Sequence, residues 1–398
     1  MGRWDLTRDE QASLLAFLTK LVQTPSLSGH EGDVASLIMD EMQRLGFSEV
    51  KMDAAGNVLG RVGPASNDGV MLNGHMDTVD VSTSSAWERD PFAAEVDRGR
   101  LYGLGACDMK GGLAATIHGA ALLARRDAEL RKPVWVVAVG LEEPSEGTGT
   151  RCVFEEDGLR PDYALIAEPS NLHVVRAQRG HMELRMTVRG QSAHSSTPEL
   201  GRNAIYDASR LVFGLELLSG QLMSDPFLGS GVLVVTSMQS EAVSRNAVPD
   251  RCELILDRRL TVGESEAIVL LEIERVITRE GADAEVEVIE ESVMTHTGRT
   301  YQARRASMPW ALDERHPLVQ TALSSARSVG IRPNVTCWQF ATEGAYTATV
   351  AQIPTIGLGP GDPSMPHRCN EYVELRQVYR AASFYAALSN RLVGRGSS

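Results

Sequence analysis

At 398 residues, the chain is longer than a single hydrophobic core usually supports, so two domains are expected. Hydrophobic residues make up 43% and charged residues 23%, a globular balance that argues against long disordered segments. The formal net charge of −13 disfavours nucleic acid and anionic membrane surfaces as partners. No stretch approaches the roughly eighteen consecutive apolar residues that a membrane-spanning helix needs.

The cysteines and the N-terminal residues indicate a cellular compartment. The five cysteines are scattered, and none of them forms a C-x-x-C pair, which is typical of reduced thiols in a cytosolic protein. The first residues lack an apolar signal core, and Leu6 stands where a myristoylation signal needs Ser or Thr. We therefore expect a cytoplasmic protein.

The first part of the chain alternates predicted helices with predicted strands. Helices are predicted to begin at the capping box of Thr7 and Glu10, at Asp33 and at Gly111, and strands are predicted over 49–52, 58–62, 70–72, 134–139 and 162–167. The strand over 134–139 is continuously apolar, as expected when helices cover both faces of a sheet. This alternation predicts an α/β fold with a mixed, partly parallel sheet between helices.

From about Gly180 the pattern changes to strands with one polar face. The predicted elements are strands over 181–188, 232–237, 252–257 and 284–289 and helices over 203–218 and 264–278. Their β-α-β-β-α-β order matches a ferredoxin-like unit. Because α/β texture resumes at Pro317, we predict that a domain over 180–295 is inserted into one made of 1–179 and 296–398. The basic stretch over 296–310 is interpreted as an irregular return linker.

The first candidate site is His75 with Asp77, at the end of a predicted strand. Two residues are one pleat period, so both side chains leave the strand on the same face. That geometry suits a metal-binding imidazole beside a carboxylate that orients it, although a surface hydrogen bond would look the same.

The second candidate is Asp108, which glycines frame on both sides just before a predicted helix. Glycines let the backbone approach closely at this turn. A dinucleotide-binding loop fits poorly, because the spacing is not G-x-G-x-x-G and an acid would repel a pyrophosphate. An ordinary helix N-cap remains the alternative.

The third candidate is the pair Glu142 and Glu143, directly after the apolar strand over 134–139. Ligand sites of open α/β sheets lie at the carboxyl ends of strands. Adjacent glutamates point in different directions, so one can bind a metal while the other faces a bound water as base. A solvated acidic loop is the alternative, and Glu146 makes the assignment less clean.

Glu168 ends another apolar strand, and His367 follows the glycine-rich segment over 357–361. With His75, Asp108 and Glu143 they form a set of two histidines and three acids. That set supplies three ligands for each of two ions if one carboxylate is shared, which is the composition of a cocatalytic dizinc site.

These motifs resemble the zinc exopeptidase and deacylase family of acetylornithine deacetylase, succinyl-diaminopimelate desuccinylase and carboxypeptidase G, along nearly the whole chain. The resemblance implies that His75, Asp108 and Glu168 bind one zinc ion and that Asp108, Glu143 and His367 bind the other. It also implies that Glu142 is the general base, that Asp77 holds the His75 imidazole, and that the Asp108–Met109 peptide is cis. Cobalt or manganese could replace zinc.

The inserted domain resembles the lid and dimerisation domain of this family. The segment over 190–196 matches the histidine motif of the family, so His194 is expected to polarise the scissile carbonyl, reaching into the site of a partner subunit. Asn246 lies in a segment that resembles an Asn-Val-Ile-Pro motif of the family, and thirteen residues later Arg259 suits capture of a substrate carboxylate, with Arg258 as the alternative.

Two departures from the family pattern bear on the substrate. Leu141 replaces the acid that usually precedes the glutamate pair, and the segment Phe340 to Tyr346, with Gly344 as a substrate-binding candidate, replaces a Ser/Gly/Thr-rich loop. Together with the segment from Glu168 to Leu172 they look most like the selenium-metabolism-associated hydrolase branch. The acyl group and the amino acid stay open.

The resemblance therefore predicts a homodimeric, metal-dependent hydrolase that cleaves an amide of a small N-acyl amino acid or dipeptide-like substrate with a free carboxylate. A dipeptidase or carboxypeptidase, or a carbamoyl-amide hydrolase, on the same scaffold is the alternative. A metal-binding interaction protein without activity and a nicotinamide oxidoreductase are the alternatives from other classes, and the second lacks a phosphate-binding fingerprint.

Overall fold

The computed structural model describes residues 2–81 and 86–395. Met1, residues 82–85 and residues 396–398 fall in the predicted segments 1–179 and 296–398 and lie outside the described residues. The α-helices are α1 (Arg8–Gln23), α2 (Gly32–Arg44), α3 (Gly111–Arg125), α4 (Thr148–Glu155), α5 (Ala204–Ser219), α6 (Glu266–Glu280), α7 (Pro317–Ser328) and α8 (Leu375–Val393). The β-strands are β1 (Glu49–Met52), β2 (Val58–Val62), β3 (Val70–His75), β4 (Glu95–Asp97), β5 (Arg100–Tyr102), β6 (Val134–Val139), β7 (Tyr163–Ile166), β8 (Val174–Gln178), β9 (Gly180–Arg189), β10 (Ser224–Asp225), β11 (Gly229–Ser230), β12 (Val232–Glu241), β13 (Arg251–Leu260), β14 (Ala284–Val288), β15 (Glu290–Met294), β16 (Thr300–Arg304), β17 (Ala306–Ser307), β18 (Trp310–Ala311), β19 (Val335–Trp338), β20 (Thr355–Gly357) and β21 (Tyr372–Glu374).

The first helix begins where its capping residues predict. The Thr7 hydroxyl accepts a hydrogen bond from the Glu10 N–H, and the Glu10 carboxylate accepts one from the Thr7 N–H at 2.8 Å. Two of the N–H groups that the first turn leaves without helical partners are thereby satisfied.

The large sheet is mixed and lies between helices, as predicted. Its strand order is β1-β2-β6-β3-β7-β20-β8-β18, with β19 paired to β8. Strand β3 runs parallel to both β6 and β7, and β20 runs parallel to β7. Because the carboxyl ends of parallel neighbours meet at one edge, the residues that follow β6, β3 and β7 are brought together there.

Helix α3 covers this sheet and is buried along nearly its whole length between the sheet and α8. At Gly112 the helix approaches the chain just beyond β7 so closely that a Cβ atom would lie 2.2 Å from the Ala167 carbonyl oxygen. Only glycine permits this contact, which holds the start of α3 beside the end of β7.

A second sheet has the strand order β12-β13-β9-β14, with antiparallel neighbours throughout. Helices α5 and α6 pack on one face of it and share a separate apolar core with alternate strand residues. The chain order of these elements is the β-α-β-β-α-β order predicted for a ferredoxin-like unit.

The prediction of an irregular linker over 296–310 was wrong. Strand β16 forms a hairpin with β15, β17 pairs with β9, and β18 pairs with β8. The hairpin is largely exposed, with only Ala303 of β16 buried, so its sequence lacks the apolar alternation from which a strand is predicted.

Within residues 2–81 and 86–395, none of the helices combines the length and the apolar character that crossing a membrane requires.

Candidate metal centre

His75 stands at the centre of the carboxyl-end edge of the large sheet. It is the last residue of β3 and pairs with Val139 at the end of β6, while Asn73 pairs with Ile166 at the end of β7. The Glu142–Glu143 pair and Glu168 each follow one of these flanking strands, so local strand ends deliver three predicted site segments to one place.

The two ring nitrogens of His75 face different partners. Nδ1 lies 2.9 Å from the backbone carbonyl oxygen of Asp77, so this nitrogen donates and Nε2 carries the lone pair. Nε2 lies 3.0 Å from Oδ1 of Asp108 and 3.5 Å from Oε1 of Glu168. A nitrogen lone pair that faces two carboxylates is stabilised only by a cation or a proton between them, which is the arrangement of a metal ligand.

The Asp77 carboxylate is fully buried and holds the glutamate pair. Its two oxygens accept hydrogen bonds from the N–H groups of Glu142 and Glu143, both at 3.2 Å, and the Ser28 hydroxyl donates to it at 2.7 Å. Oδ1 is 3.6 Å from Nδ1 of His75. Asp77 thus ties the end of β3 to the turn after β6.

Asp108 lies in a tight helical turn, Ala106–Lys110, that begins after Gly105 in the left-handed conformation. The peptide bond between Asp108 and Met109 is cis, as the family resemblance predicted. The buried carboxylate of Glu371 accepts three backbone N–H groups of this turn, from Gly105 at 3.2 Å, Cys107 at 2.6 Å and Asp108 at 2.9 Å. Glu371 therefore fixes the loop that presents the Asp108 side chain.

A sharp turn at Leu141 separates β6 from the glutamate pair. Leu141 is buried and has a φ of 63°, a conformation in which a side chain is unusual. Its N–H donates to Oε1 of the buried Glu31 at 3.2 Å. The turn continues with a hydrogen bond of 2.9 Å from the Ser145 N–H to the Glu142 carbonyl oxygen.

His367 comes from the loop between β20 and β21. Its Nε2 lies 3.2 Å from Oε2 of Glu143 and 3.6 Å from Oδ2 of Asp108, and its side chain is 58% exposed. Asp108 thus faces His75 with one oxygen and His367 with the other. This is the placement that a carboxylate shared between two ions needs.

The charges of this cluster are poorly balanced by the protein itself. Burial raises the pKa of the carboxyls of Glu142, Glu143 and Glu168, and neighbouring carboxylates raise these pKa values further. The hydrogen bond to Glu143 raises the pKa of His367 to about 9. Converging buried carboxylates require bound protons or cations to be stable.

The donor atoms fit metal ions. His75, Asp108 and Glu143 form one group of closely spaced ligand atoms, and His75, Glu142 and Glu168 form another, each with all atoms within 4.8 Å of one another. Imidazole nitrogen and carboxylate oxygen are zinc ligands, so the chemistry of the donors and their uncompensated charge both match a metal centre.

A cavity of about 330 Å³ opens onto these residues. Besides Glu142 and every metal-ligand candidate except His75, its lining consists of Glu146, His181, Arg259, Phe340, Ala341 and Pro366. Phe340 packs against Trp338 with ring centroids 5.9 Å apart, so part of the wall is aromatic.

Strand register separates the two candidate arginines. In the antiparallel pair of β13 and β9, Arg259 is opposite His181 and Arg258 is opposite Met182, so the two arginines lie on opposite faces of the sheet. Arg258 is 1% exposed and forms an ion pair with the buried Glu264. Arg259 lines the cavity, so it is the arginine that a substrate can reach.

Three further predicted residues lie outside the cavity lining of this chain. His194 and Asn246 are exposed and belong to two segments that pair with each other, since the Ser195 N–H donates to the Asn246 carbonyl oxygen at 2.9 Å. Nδ1 of His194 accepts from the Ser196 N–H at 3.1 Å, which leaves Nε2 as a donor. Gly344 is buried beside Thr342, whose hydroxyl accepts the Gly344 N–H at 3.0 Å, and two residues separate Gly344 from the lining residue Ala341.

Sequence reasoning missed the buried acids that brace the site. Besides Glu371 and Glu31, Glu343 accepts the N–H of Gly147 at 2.9 Å and that of Thr150 at 3.1 Å, which fixes the chain after the glutamate pair. Burial raises the pKa of Glu343 to about 7 and that of Glu371 to about 8. Each acid bonds to backbone far away in the chain, so no local pattern marks it.

Comparison with known proteins gives consistent matches. The sequence profile of the peptidase family M20/M25/M40 matches residues 71–391. The uncharacterized protein YgeY of Escherichia coli (strain K12) is 33% identical over 382 residues, which cover 96% of this chain and 94% of YgeY. Among solved structures, aminopeptidase PepT from Bacillus cereus ATCC 10987 has a TM-score of 0.74 at 18% identity and covers 96% of this chain and 98% of its own. The YXEP protein of Bacillus subtilis, a dinuclear metal binding peptidase from the M20 family, has a TM-score of 0.72 at 17% identity and covers 97% of this chain and 99% of its own.

Proposed function

This chain belongs to the peptidase family M20/M25/M40, and we propose that it is a metal-dependent hydrolase that cleaves an amide bond of a small N-acyl amino acid or dipeptide-like substrate with a free carboxylate. The observation that carries the proposal is one cavity that is lined both by Glu142 with four of the five metal-ligand candidates and by the reachable guanidinium of Arg259. The scissile amide and the carboxylate of such a substrate lie only a few bonds apart, as these two groups of residues require.

The ligands divide into two sets that share one carboxylate. His75, Asp108 and Glu168 would hold one ion, and Asp108, Glu143 and His367 would hold the other. Two zinc ions bound there, or cobalt or manganese in their place, would supply an activated water and polarise the substrate carbonyl.

Glu142 is the proposed general base. Glu142 and Glu143 both line the cavity, but Glu143 is engaged by His367 at 3.2 Å, which leaves Glu142 available for the separate task of a base. Glu142 would take a proton from the attacking water and return it to the leaving amine. Asp77 holds the Glu142 N–H at 3.2 Å and so keeps the base in place during both transfers.

Arg259 is the proposed partner of the substrate carboxylate, because its planar fork can donate two hydrogen bonds to two carboxylate oxygens. Asn246 and His194 are proposed to contact the substrate from a second copy of the chain, with the His194 Nε2–H donating to the carbonyl oxygen as negative charge develops on it. Gly344 would shape the backbone behind Phe340 and Ala341.

A homodimer through the segment 180–295 would bring His194 to the other site. Helix α5 exposes Tyr206, Phe213 and Leu217, which are 67%, 69% and 62% exposed, and β12 is an edge strand with Val234 and Met238 exposed. An apolar patch beside an unpaired strand edge is typical of an interaction surface. We propose that 180–295 is a lid and dimerisation domain on a catalytic domain formed by 1–179 and 296–398.

The test is a substrate panel of N-acyl amino acids, dipeptides and N-carbamoyl amino acids, assayed with zinc, cobalt and manganese and after chelation. We expect metal-dependent release of the amino acid from one class, with two ions bound per chain. Selective cleavage of dipeptides or of carbamoyl amides would replace deacylation with the corresponding alternative. Two bound ions without cleavage of any amide would favour an interaction protein and overturn the proposal. Analytical ultracentrifugation would test the dimer.

A further inference from the structure

Arg259 of the cavity lining stands among charged residues that the proposed chemistry does not use. His181 and Glu183 alternate along β9, and Asp257 and Arg259 alternate along β13. Arg259 is opposite His181 and Asp257 is opposite Glu183 in the antiparallel register. With a period of two residues, all four side chains leave the sheet on the same face, away from the core that α5 and α6 cover.

Three of these groups and Glu146 form a row of alternating charge. Arg259 donates from Nε and Nη2 to the two oxygens of Asp257, at 2.8 Å and 2.9 Å. Nε2 of His181 lies 3.4 Å from Oδ2 of Asp257, and Nδ1 of His181 lies 3.0 Å from Oε1 of Glu146. Glu183 is more distant, at 3.7 Å from Nε2.

His181 connects two separate parts of the chain through this row. His181 lies on β9 of the second sheet. Glu146 lies in the turn that follows β6 of the large sheet, and the same turn carries Glu142 and Glu143. His181 is only 8% exposed, so its contacts are made in a largely dry environment where charge pairing is strong.

The charge of His181 suits both contacts. Burial by itself would lower the pKa of His181, but the nearby carboxylates of Asp257 and Glu146 outweigh it and raise this pKa to about 9. Burial would raise the pKa of Asp257, yet the nearby imidazole of His181 and the hydrogen bonds from Arg259 lower it to about 2. At neutral pH the row is therefore guanidinium, carboxylate, imidazolium and carboxylate.

The Nε and Nη2 side of the Arg259 guanidinium is already occupied by Asp257, so a substrate carboxylate that binds on this side competes with Asp257. A substrate carboxylate that takes the same two N–H groups must displace Asp257 from them. A partly buried carboxylate that loses its hydrogen-bond donors is strongly destabilised unless another cation is near. His181 removes that obstacle, because it stands within reach of the displaced Asp257.

We infer that His181 is a positioning residue for the substrate carboxylate, which retains Asp257 when the substrate takes Arg259 and at the same time holds Glu146 of the turn that carries the general base. The inference rests on the proposed role of Arg259 as carboxylate partner. Binding of the substrate carboxylate at Arg259 is thereby coupled to the position of the turn that carries Glu142 and Glu146. His181 acts through Asp257 and Glu146 and needs no contact with the substrate.

Two substitutions should change carboxylate binding in opposite directions. His181→Gln leaves Asp257 dependent on Arg259, so a carboxylate should bind about tenfold more weakly, the loss expected for one charged hydrogen bond. Asp257→Asn releases the fork of Arg259 and removes a negative charge, so a carboxylate should bind several-fold more tightly. A purely structural role would weaken binding in both variants.

The experiment measures binding of N-acetyl-L-alanine and of N-acetyl-L-alaninamide by calorimetry to the zinc-loaded protein. A Glu142→Gln background prevents turnover, and thermal melting checks that each variant is folded. Glu253→Gln is the matched control, because Glu253 lies on the same strand and the same face as Asp257 but pairs with Arg185 and Arg251, whereas Asp257 pairs with the cavity residue Arg259. We expect the affinity for N-acetyl-L-alanine to fall in His181→Gln and to rise in Asp257→Asn. The affinity for N-acetyl-L-alaninamide should change little in either variant, and Glu253→Gln should change neither affinity.

The inference would be overturned if both substitutions changed the affinity for the acid in the same direction, or if they changed the affinities for acid and amide equally. It would also be overturned if the cavity without these substitutions did not prefer the acid. Failure of the proposed function has a different signature. If the panel shows no hydrolysis while the opposite shifts remain, the function is wrong and the inference stands; if hydrolysis depends on Glu142 but the opposite shifts are missing, the inference alone fails.

Discussion

The backbone carbonyl oxygen of Asp77, rather than its carboxylate, is the group nearest to Nδ1 of His75, at 2.9 Å against 3.6 Å for Oδ1. The carbonyl alone is enough to fix the ring tautomer that points the Nε2 lone pair at Asp108 and Glu168. The carboxylate is then free to accept the N–H groups of Glu142 and Glu143. Asp77 therefore supports the imidazole with its backbone and the glutamate turn with its side chain.

Asp77→Asn tests this division. The amide has one oxygen in place of two, so its NH2 group must face the N–H of Glu142 or of Glu143, and the turn should shift. We expect kcat to fall about 10- to 100-fold. The affinity for the second ion, which is the one proposed to bind Asp108, Glu143 and His367, should fall by a similar factor, while His75 keeps its orientation. Metal titration followed by steady-state kinetics measures both. Ser28→Ala, which removes only the 2.7 Å bond to Asp77, is the milder control. An unchanged second-ion affinity in Asp77→Asn would contradict the assignment.

Glu142→Gln should remove most turnover and leave the metal in place. The amide keeps the size and polarity of the side chain but cannot accept a proton, and general bases contribute roughly 10²- to 10⁴-fold to rate. We expect a loss in kcat of that order with two ions still bound, measured by metal analysis of the same sample. Near-normal turnover would show that another group takes the proton.

The neighbouring arginines should respond very differently to truncation. Arg258→Ala leaves the buried Glu264 without its partner, so the free energy of unfolding should fall by about 3–5 kcal/mol. Arg259→Ala should melt near the temperature of the unsubstituted protein but raise KM about tenfold or more for substrates with a free carboxylate. Urea unfolding and kinetics on a carboxylate and its carboxamide separate the two outcomes. A larger KM effect from Arg258→Ala in folded protein would reverse the assignment.

Stability should depend on the ionisation of His181 at alkaline pH. Its folded-state pKa, near 9, lies above the value of about 6.5 expected in the unfolded chain, so its contribution is complete below pH 6.5 and is lost as pH rises through 9. The groups that face it are Glu146, Glu183, Asp257 and Arg259. The difference in unfolding free energy between the unsubstituted protein and His181→Gln should therefore shrink from pH 6 to pH 10. A difference that is constant over this range would mean that the imidazolium charge does not contribute.

Local patterns carried much of the prediction. A helix begins at Gly111 and a strand spans Val134–Val139, as predicted, and the strand could be recognised because it is a short, continuously apolar run. The mixed α/β fold and the family were confirmed. His75, Glu142 and Glu168 could be singled out because each lies at or just beyond the end of a buried strand, and parallel neighbours must end at a common edge.

Other features could not be predicted because they join distant parts of the chain. Glu371 braces the Asp108 turn across more than 260 residues, and the acid type alone does not distinguish it from a surface glutamate. The hairpin of β15 and β16 was missed because its exposed residues have no apolar alternation. His181 gains its role from a strand that pairs with its own and from a turn in another sheet.

The sequence by itself determined the kinds of chemistry available: two histidines, a set of acids at strand ends and an arginine pair, each recognisable from local spacing. Only the tertiary structure decided which arginine faces the cavity, which oxygen of Asp77 meets His75, and that His181 stands between Asp257 and Glu146. The physical reason is that side-chain direction in a sheet depends on register, and register is set by pairing between strands far apart in the chain. Local spacing indicates what a residue can do, and pairing decides what it contacts.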